Sequence, residues 1–135
     1  MKRTRLLNSE LSYAISQVGH TASITLCDAG LPIPTGVKRI DLAIENGYPS
    51  FIRTLDALLS EMMVEEIVVA SEIHQKNPEI FRAMVEVFEK YAMKPVVTEV
   101  SHEQFKQLTR ESEAIVRTGE CTPYANVILK SGVVF

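Results

Sequence analysis

Cysteine is scarce: the 135-residue sequence holds two, Cys27 and Cys121, with no C-x-x-C pair and too few thiolates for a four-ligand zinc site. Small folds that depend on disulfide or metal staples are excluded, because a chain of this length buries roughly two-thirds of its unfolded surface without them. Both cysteines are expected as small core residues of a reduced, cytoplasmic protein. A basic surplus is also missing: 14 Lys+Arg stand against 17 Asp+Glu, a formal charge of −3 mixed along the chain. Binding to a phosphate backbone needs the opposite, so nucleic acid is not an expected partner. No apolar run approaches the roughly 18 residues that cross a bilayer, and Met1-Lys2-Arg3-Thr4-Arg5 leads only to Leu6-Leu7 before polar Asn8-Ser9-Glu10. A soluble, unexported chain with no membrane partner is expected. Repeats and low-complexity tracts are absent, and six Gly and six Pro punctuate without forming a linker, so residues 1–135 read as one domain. The G-x-S-x-G, P-loop, G-x-G-x-x-G and H-E-x-x-H motifs are missing as well, and neither cofactor nor metal chemistry is signalled.

What is present is apolar for so short a chain. Hydrophobic residues make up 46% of the sequence, and the mean hydropathy is +0.07; excess apolar surface of this kind points to contacts between copies. Leu11, Ile15 and Val18 have helical spacing behind a cap at Asn8 or Ser9, and Gly19 stands where a C-terminal helix glycine belongs. Ser23–Cys27 reads as a buried strand stopped by Asp28-Ala29-Gly30, the Pro32/Pro34 stretch as an extended loop, and Arg39–Ile44 as a strand with one wet face. Helical spacing returns at Phe51, Leu55, Leu58 and Leu59, and again behind an Asn77 cap and Pro78 through to Tyr91. Ile67–Ala70 and Val96–Val100 are strands, and Ser101 with Gln104 forms a capping box that starts a helix at His102. Ala114–Val116, Val127–Leu129 and Val133–Phe135 are three further short strand candidates. Alternating strands and helices predict an α/β fold, a mixed central sheet covered on both faces in three α/β/α layers, with ligands beyond the strand ends.

The residues able to carry chemistry sit at element ends. His20 follows Gly19, where imidazole can move a proton near neutral pH or answer the helix macrodipole. Asp28 after a buried strand can accept from a polyol or cap its own turn. His102 lies between a strand and a helix, either an exposed first-turn residue or a ligand contact, while His74 has no such placement and reads as surface. Pro123-Tyr124-Ala125-Asn126 is either a proline-led turn or a phenol and amide suited to sugar hydroxyls. Met62, Met63 and Met84 read as core or interface filler.

Taken together, Gly19-His20, Cys27-Asp28-Ala29-Gly30-Leu31-Pro32-Ile33-Pro34, Arg39-Ile40-Asp41, His102-Glu103-Gln104-Phe105-Lys106 and Arg117-Thr118-Gly119-Glu120-Cys121-Thr122-Pro123-Tyr124-Ala125-Asn126 resemble the D-ribose pyranase family in order and spacing, from the first helix to Phe135. The resemblance implies a mutarotase that interconverts pyranose and furanose D-ribose for a downstream kinase, working in a ring-shaped homo-oligomer, often a decamer, with sites between adjacent subunits. It implies His20 as proton donor and Asp28, His102 and Tyr124, Ala125 and Asn126 as substrate-binding. L-fucose mutarotase shares the Gly-His and Tyr-x-Asn segments but has an Asp-Ala-Asn-Phe-Pro type loop, so Asp28-Ala29-Gly30-Leu31-Pro32 favours ribose. Ring opening and reclosure are two proton movements with no redox step and need no cofactor. A non-catalytic sugar-binding or transport-associated protein would use the same polar residues without proton transfer.

Overall fold

The computed structural model describes residues 1–135. The chain runs α1 (Ser9–Gln17), β1 (Ser23–Cys27), β2 (Lys38–Asp41), α2 (Phe51–Leu59), β3 (Val64–Ala70), α3 (Ile73–Lys76), α4 (Pro78–Lys90), β4 (Val96–Val100), α5 (His102–Leu108), a 3-10 turn over Thr109–Glu111, β5 (Ala114–Arg117) and β6 (Val127–Ser131). The strands make one six-stranded sheet in the order β2-β5-β1-β6-β3-β4. β5 lies parallel to β1 and β2, and β3 parallel to β4, whereas β6 is antiparallel to both β1 and β3. The sheet is therefore mixed, with five strands pointing one way and one reversed.

Two apolar clusters follow from strand alternation, because successive side chains leave a strand on opposite faces. Ile24, Leu26, Ile67, Val69, Val116, Val127 and Leu129 pack in the larger cluster with Leu11 of α1, Leu55 and Leu58 of α2, and Met84 and Phe88 of α4. Their neighbours Cys27, Val68, Ala70, Ile115 and Ile128 meet Phe105 of α5 in the smaller one. β1, buried at every residue, is the central strand that this double covering demands.

Caps define several boundaries. Asn8 Oδ1 accepts from Leu11 N–H, Ser50 Oγ from Arg53 N–H, and Ser101 and Gln104 complete the capping box that begins α5 at His102.

Five expectations are corrected. α1 stops at Gln17, not Gly19; Val18 caps it in an extended conformation, and the left-handed residue of the following turn is Thr21, at φ 70°. β2 ends at Asp41 because Asp41 Oδ1 takes the Ala43 N–H and the chain turns into a hairpin bridged at Glu45 and Tyr48. Asn77 precedes α4 but makes no side-chain cap; its amide is engaged elsewhere. Val133–Phe135 forms no strand, since after Gly132 N–H bonds to Met63 the chain has no further sheet partner. Cys121 is exposed, not a core residue. Met62 and Met84 are buried and Met63 is on the surface.

Candidate active site

The parallel strands send their C-terminal ends to one edge of the sheet, where α/β folds place ligand sites. That edge receives Asp28 after β1, Glu72 after β3, His102 after β4 and Glu120 after β5. β6, running the other way, begins there, immediately after Tyr124, Ala125 and Asn126. A cleft of about 560 Å³ opens among them, walled by the Asp28–Pro32 turn, His102 and residues Glu120–Tyr124. Its volume is within the range of small-molecule sites.

Each wall is fixed by hydrogen bonds. Asp28 Oδ1 accepts from Gly30 N–H at 2.9 Å, making an Asx turn, and Asn126 reaches Asp28 twice: Asp28 N–H donates to Asn126 Oδ1 at 2.9 Å and Asn126 Nδ2 donates to Asp28 Oδ2 at 3.0 Å. Ala29 N–H donates to the Glu120 carbonyl, and Arg117 Nε to the Ala29 carbonyl. Arg117 also meets Asp41, whose carboxyl burial alone would raise; the Ala43 N–H and the guanidinium outweigh burial and hold it low.

His102 opens α5, and its backbone N–H donates to both carboxylate oxygens of Glu72 at 3.1 Å. This bond is the main reason the Glu72 carboxyl lies below its usual range. The imidazole meets Tyr124 edge to face, with ring centroids 5.1 Å apart. Its Nδ1 is buried without a hydrogen-bond partner. Tyr124 itself stands at φ 57°, a strained position for a non-glycine residue. The loop that imposes it is tied down by Glu120, whose carboxylate accepts from Phe51 N–H, Thr122 N–H and Thr122 Oγ1. Asn77 Nδ2 adds bonds to Thr122 Oγ1 and the Pro123 carbonyl, both at 2.8 Å.

Three of the sequence-derived residues, Asp28, His102 and Tyr124, thus line one cleft. Asn126 is buried and acts through Asp28, and Ala125 is buried in the core beneath them. His20 is elsewhere. It precedes β1, whose five residues carry the chain roughly 15 Å before Asp28 follows. There it borders a separate cleft with Ile15, Met63, Gly132 and Val133, and its Nε2 lies 2.8 Å from Glu65 Oε1. His74, on the surface, pairs with Glu99 at 2.7 Å.

The residues that sequence reasoning missed, Glu65, Glu72, Asn77 and Glu120, share a reason. Each acts on a partner between 30 and 69 positions away; no local periodicity or cap marks Glu65, Glu72 or Glu120, and the cap signal at Asn77 pointed to α4 and not to the site.

The sequence profile of the RbsD / FucU transport protein family matches residues 1–134. The chain belongs to the RbsD / FucU family. It is 76% identical over 135 residues, the full length of both proteins, to D-ribose pyranase of Rhodopirellula baltica. Among solved structures, Bacillus subtilis RbsD complexed with D-ribose superposes with a TM-score of 0.93 at 43% identity, covering 100% of each chain. The fucose mutarotase of Streptococcus pneumoniae, in complex with L-fucose, gives 0.82 at 27% identity, with 95% of this chain and 94% of that one covered. RbsD / FucU membership places the mixed α/β sheet and the cleft at its edge in a fold that binds pentose and deoxyhexose sugars in those two relatives.

Proposed function

We propose that this chain is a D-ribose pyranase, converting the pyranose and furanose forms of D-ribose by acid-base ring opening and reclosure. The observation that carries the reading is the cleft of Asp28, His102 and Tyr124 in a chain 76% identical, end to end, to a D-ribose pyranase. Ribose is favoured over fucose because the fucose mutarotase stands further off, at 27% identity against 43% for the ribose-bound protein.

The chemistry divides between two acid-base groups. His20 gives a proton to the ring oxygen O5 as the C1–O5 bond breaks, while the O1 proton passes to the Asp28 carboxylate and C1=O forms. When O4 then attacks C1, its proton returns to His20 and Asp28 gives its proton back to O1. Both groups end as they began, and no electron leaves the sugar. Positioned groups of this kind contribute about 10² to 10⁴ in rate, enough for a reaction that water already permits. His102 and the Tyr124 phenol hold the remaining hydroxyls.

A single chain cannot bring these groups together, because β1 stands between His20 and Asp28. His20 of one subunit therefore serves the cleft of another. This supports a homo-oligomer with sites between subunits; its form as a ring, a decamer in the family that the sequence resembles, and the three α/β/α layers of each single-domain subunit are part of the same proposal. Exposed Val133 and Val134 beside His20, together with Ile44 and Tyr48, are apolar surface that such contacts would cover. We place the enzyme in the cytoplasm, where a kinase would take up the furanose; no helix is long and apolar enough to cross a membrane.

The family's description as transport proteins favours a second reading, sugar binding without catalysis. Saturation-transfer NMR on ¹³C-labelled ribose, with and without protein, separates the two. Faster exchange between ring forms supports the enzyme, and binding with unchanged exchange defeats it; L-fucose run alongside tests the sugar.

A further inference from the structure

His20 is half exposed, yet its ring has a partner that the fold has gone out of its way to supply. Glu65 lies in β3, where the pairing with β6 slips: Val64 faces Ser131 and Glu66 faces Lys130, so Glu65 is the extra residue of a β-bulge. Bulges re-aim a side chain that regular pleating would send elsewhere. Gly132, just beyond β6, leaves the necessary room, since a Cβ there would meet Glu65 Cβ at 3.1 Å and Glu65 Oε2 at 3.3 Å. On the other side, Thr21 takes φ 70°, a costly conformation for a β-branched residue, and its N–H is bonded to the Ser131 carbonyl at 3.0 Å. That strained turn holds His20 against β6. A bulge, a glycine and a left-handed threonine thus converge on one contact of 2.8 Å.

A carboxylate only accepts hydrogen bonds, so the imidazole nitrogen facing it must carry hydrogen. Nε2–H therefore donates to Glu65 Oε1, and Nδ1 is left as the nitrogen that can exchange a proton with a sugar.

We propose that Glu65 is the positioning residue for His20, holding Nε2–H so that Nδ1 is the nitrogen that passes the proton to O5 and takes it back from O4. The proposal rests on the reading of His20 as the proton donor. The Nε2 proton stays between His20 and Glu65 throughout, so only the Nδ1 proton moves and the proton count of the reaction is unchanged.

The test compares Glu65→Ala and Glu65→Gln in the full-length protein by ribose ring-exchange kinetics, with His20→Ala as reference and solution mass and thermal midpoint as controls. Glu65→Ala is expected to lower kcat at least about tenfold, with KM within about twofold of wild type. Glu65→Gln keeps an amide oxygen that can accept from Nε2–H and is expected to recover most of that loss. A Glu65→Ala kcat within about twofold of wild type, or a loss that falls on KM alone, overturns the proposal. So does a Glu65→Gln variant as impaired as Glu65→Ala, which would assign the effect to charge. If His20→Ala itself leaves catalysis intact, it is the donor reading that fails, which is a separate result.

Discussion

Asn126 and Asp28, 98 positions apart in sequence, are joined by a pair of hydrogen bonds, one from the Asp28 backbone to the Asn126 amide oxygen and one from the Asn126 amide nitrogen to Asp28 Oδ2. The amide thereby fixes both the end of β1 and the direction of the carboxylate. Asn126→Ala removes both bonds and leaves the Asp28 N–H without a partner. Loss of a buried partner costs about 1–3 kcal/mol, so urea denaturation should move by that amount and ring-exchange kcat should fall about tenfold. Asn126→Asp should be worse than alanine for catalysis, since it sets a second carboxylate against Asp28.

Gly119 is closed to any side chain. A Cβ there would lie 2.3 Å from the Tyr48 carbonyl oxygen and 2.6 Å from that of Glu45, both backbone atoms that cannot rotate away. Gly119→Ala must push the 45–48 hairpin off β5, breaking the bonds from Gly47 N–H to Gly119 and from Gly119 N–H to Pro49. Overpacking costs about 1–3 kcal/mol. The thermal midpoint should fall, and ribose affinity with it, because the same loop leads into Glu120 and Tyr124.

The two cysteines should differ sharply toward thiol reagents. Burial, reinforced by the neighbouring Asp28 charge, pushes the Cys27 thiol up to about 12, and the side chain is enclosed. Cys121 is exposed and borders the cleft. Iodoacetamide on the folded protein should label Cys121 alone, read by peptide mass, and ribose should slow the labelling.

Acid stability should depend on Asp56. Arg5 Nη2 at 2.6 Å is the largest influence, with Lys90 and Tyr91 each at 2.8 Å adding to it against burial, and together they hold the carboxyl well below the usual carboxylate range. A carboxylate lowered in the folded state contributes stability that is complete above its unfolded value, about 3.9. That contribution is lost as the pH falls through the lower folded value. Asp56→Asn should therefore shift the urea midpoint most near neutral pH, and the gap to wild type should begin to narrow below about pH 4 and close only toward the lower folded value.

Much of this was legible where local rules act alone. Ser23–Cys27 and Val96–Val100 are observed with the bounds that their strand-forming runs predict, and the Ser101/Gln104 box starts α5 at His102. Gly19 misled because a glycine after a helical run is only permitted, not required, to turn left-handed, and the strain fell on Thr21 through its bond to Ser131. Val133–Phe135 has strand composition, but a strand needs a neighbour, and β6 had already ended. Asn77, predicted to cap α4 through its side chain, gives its amide to Thr122 and Pro123 instead. The Glu65 contact depends on a bulge between strands more than sixty residues apart, which no window along the chain can reveal.

The division of the site between subunits is tested most directly by mixing two inactive variants. His20→Ala and Asp28→Ala chains, co-expressed in equal amounts, assemble with random neighbours, so about a quarter of the interfaces pair an intact His20 with an intact Asp28. Each variant alone should leave ribose ring exchange at its uncatalysed rate, and the mixture should recover about a quarter of the wild-type rate. A mixture as inactive as either parent would contradict a site that takes His20 from one subunit and Asp28 from another.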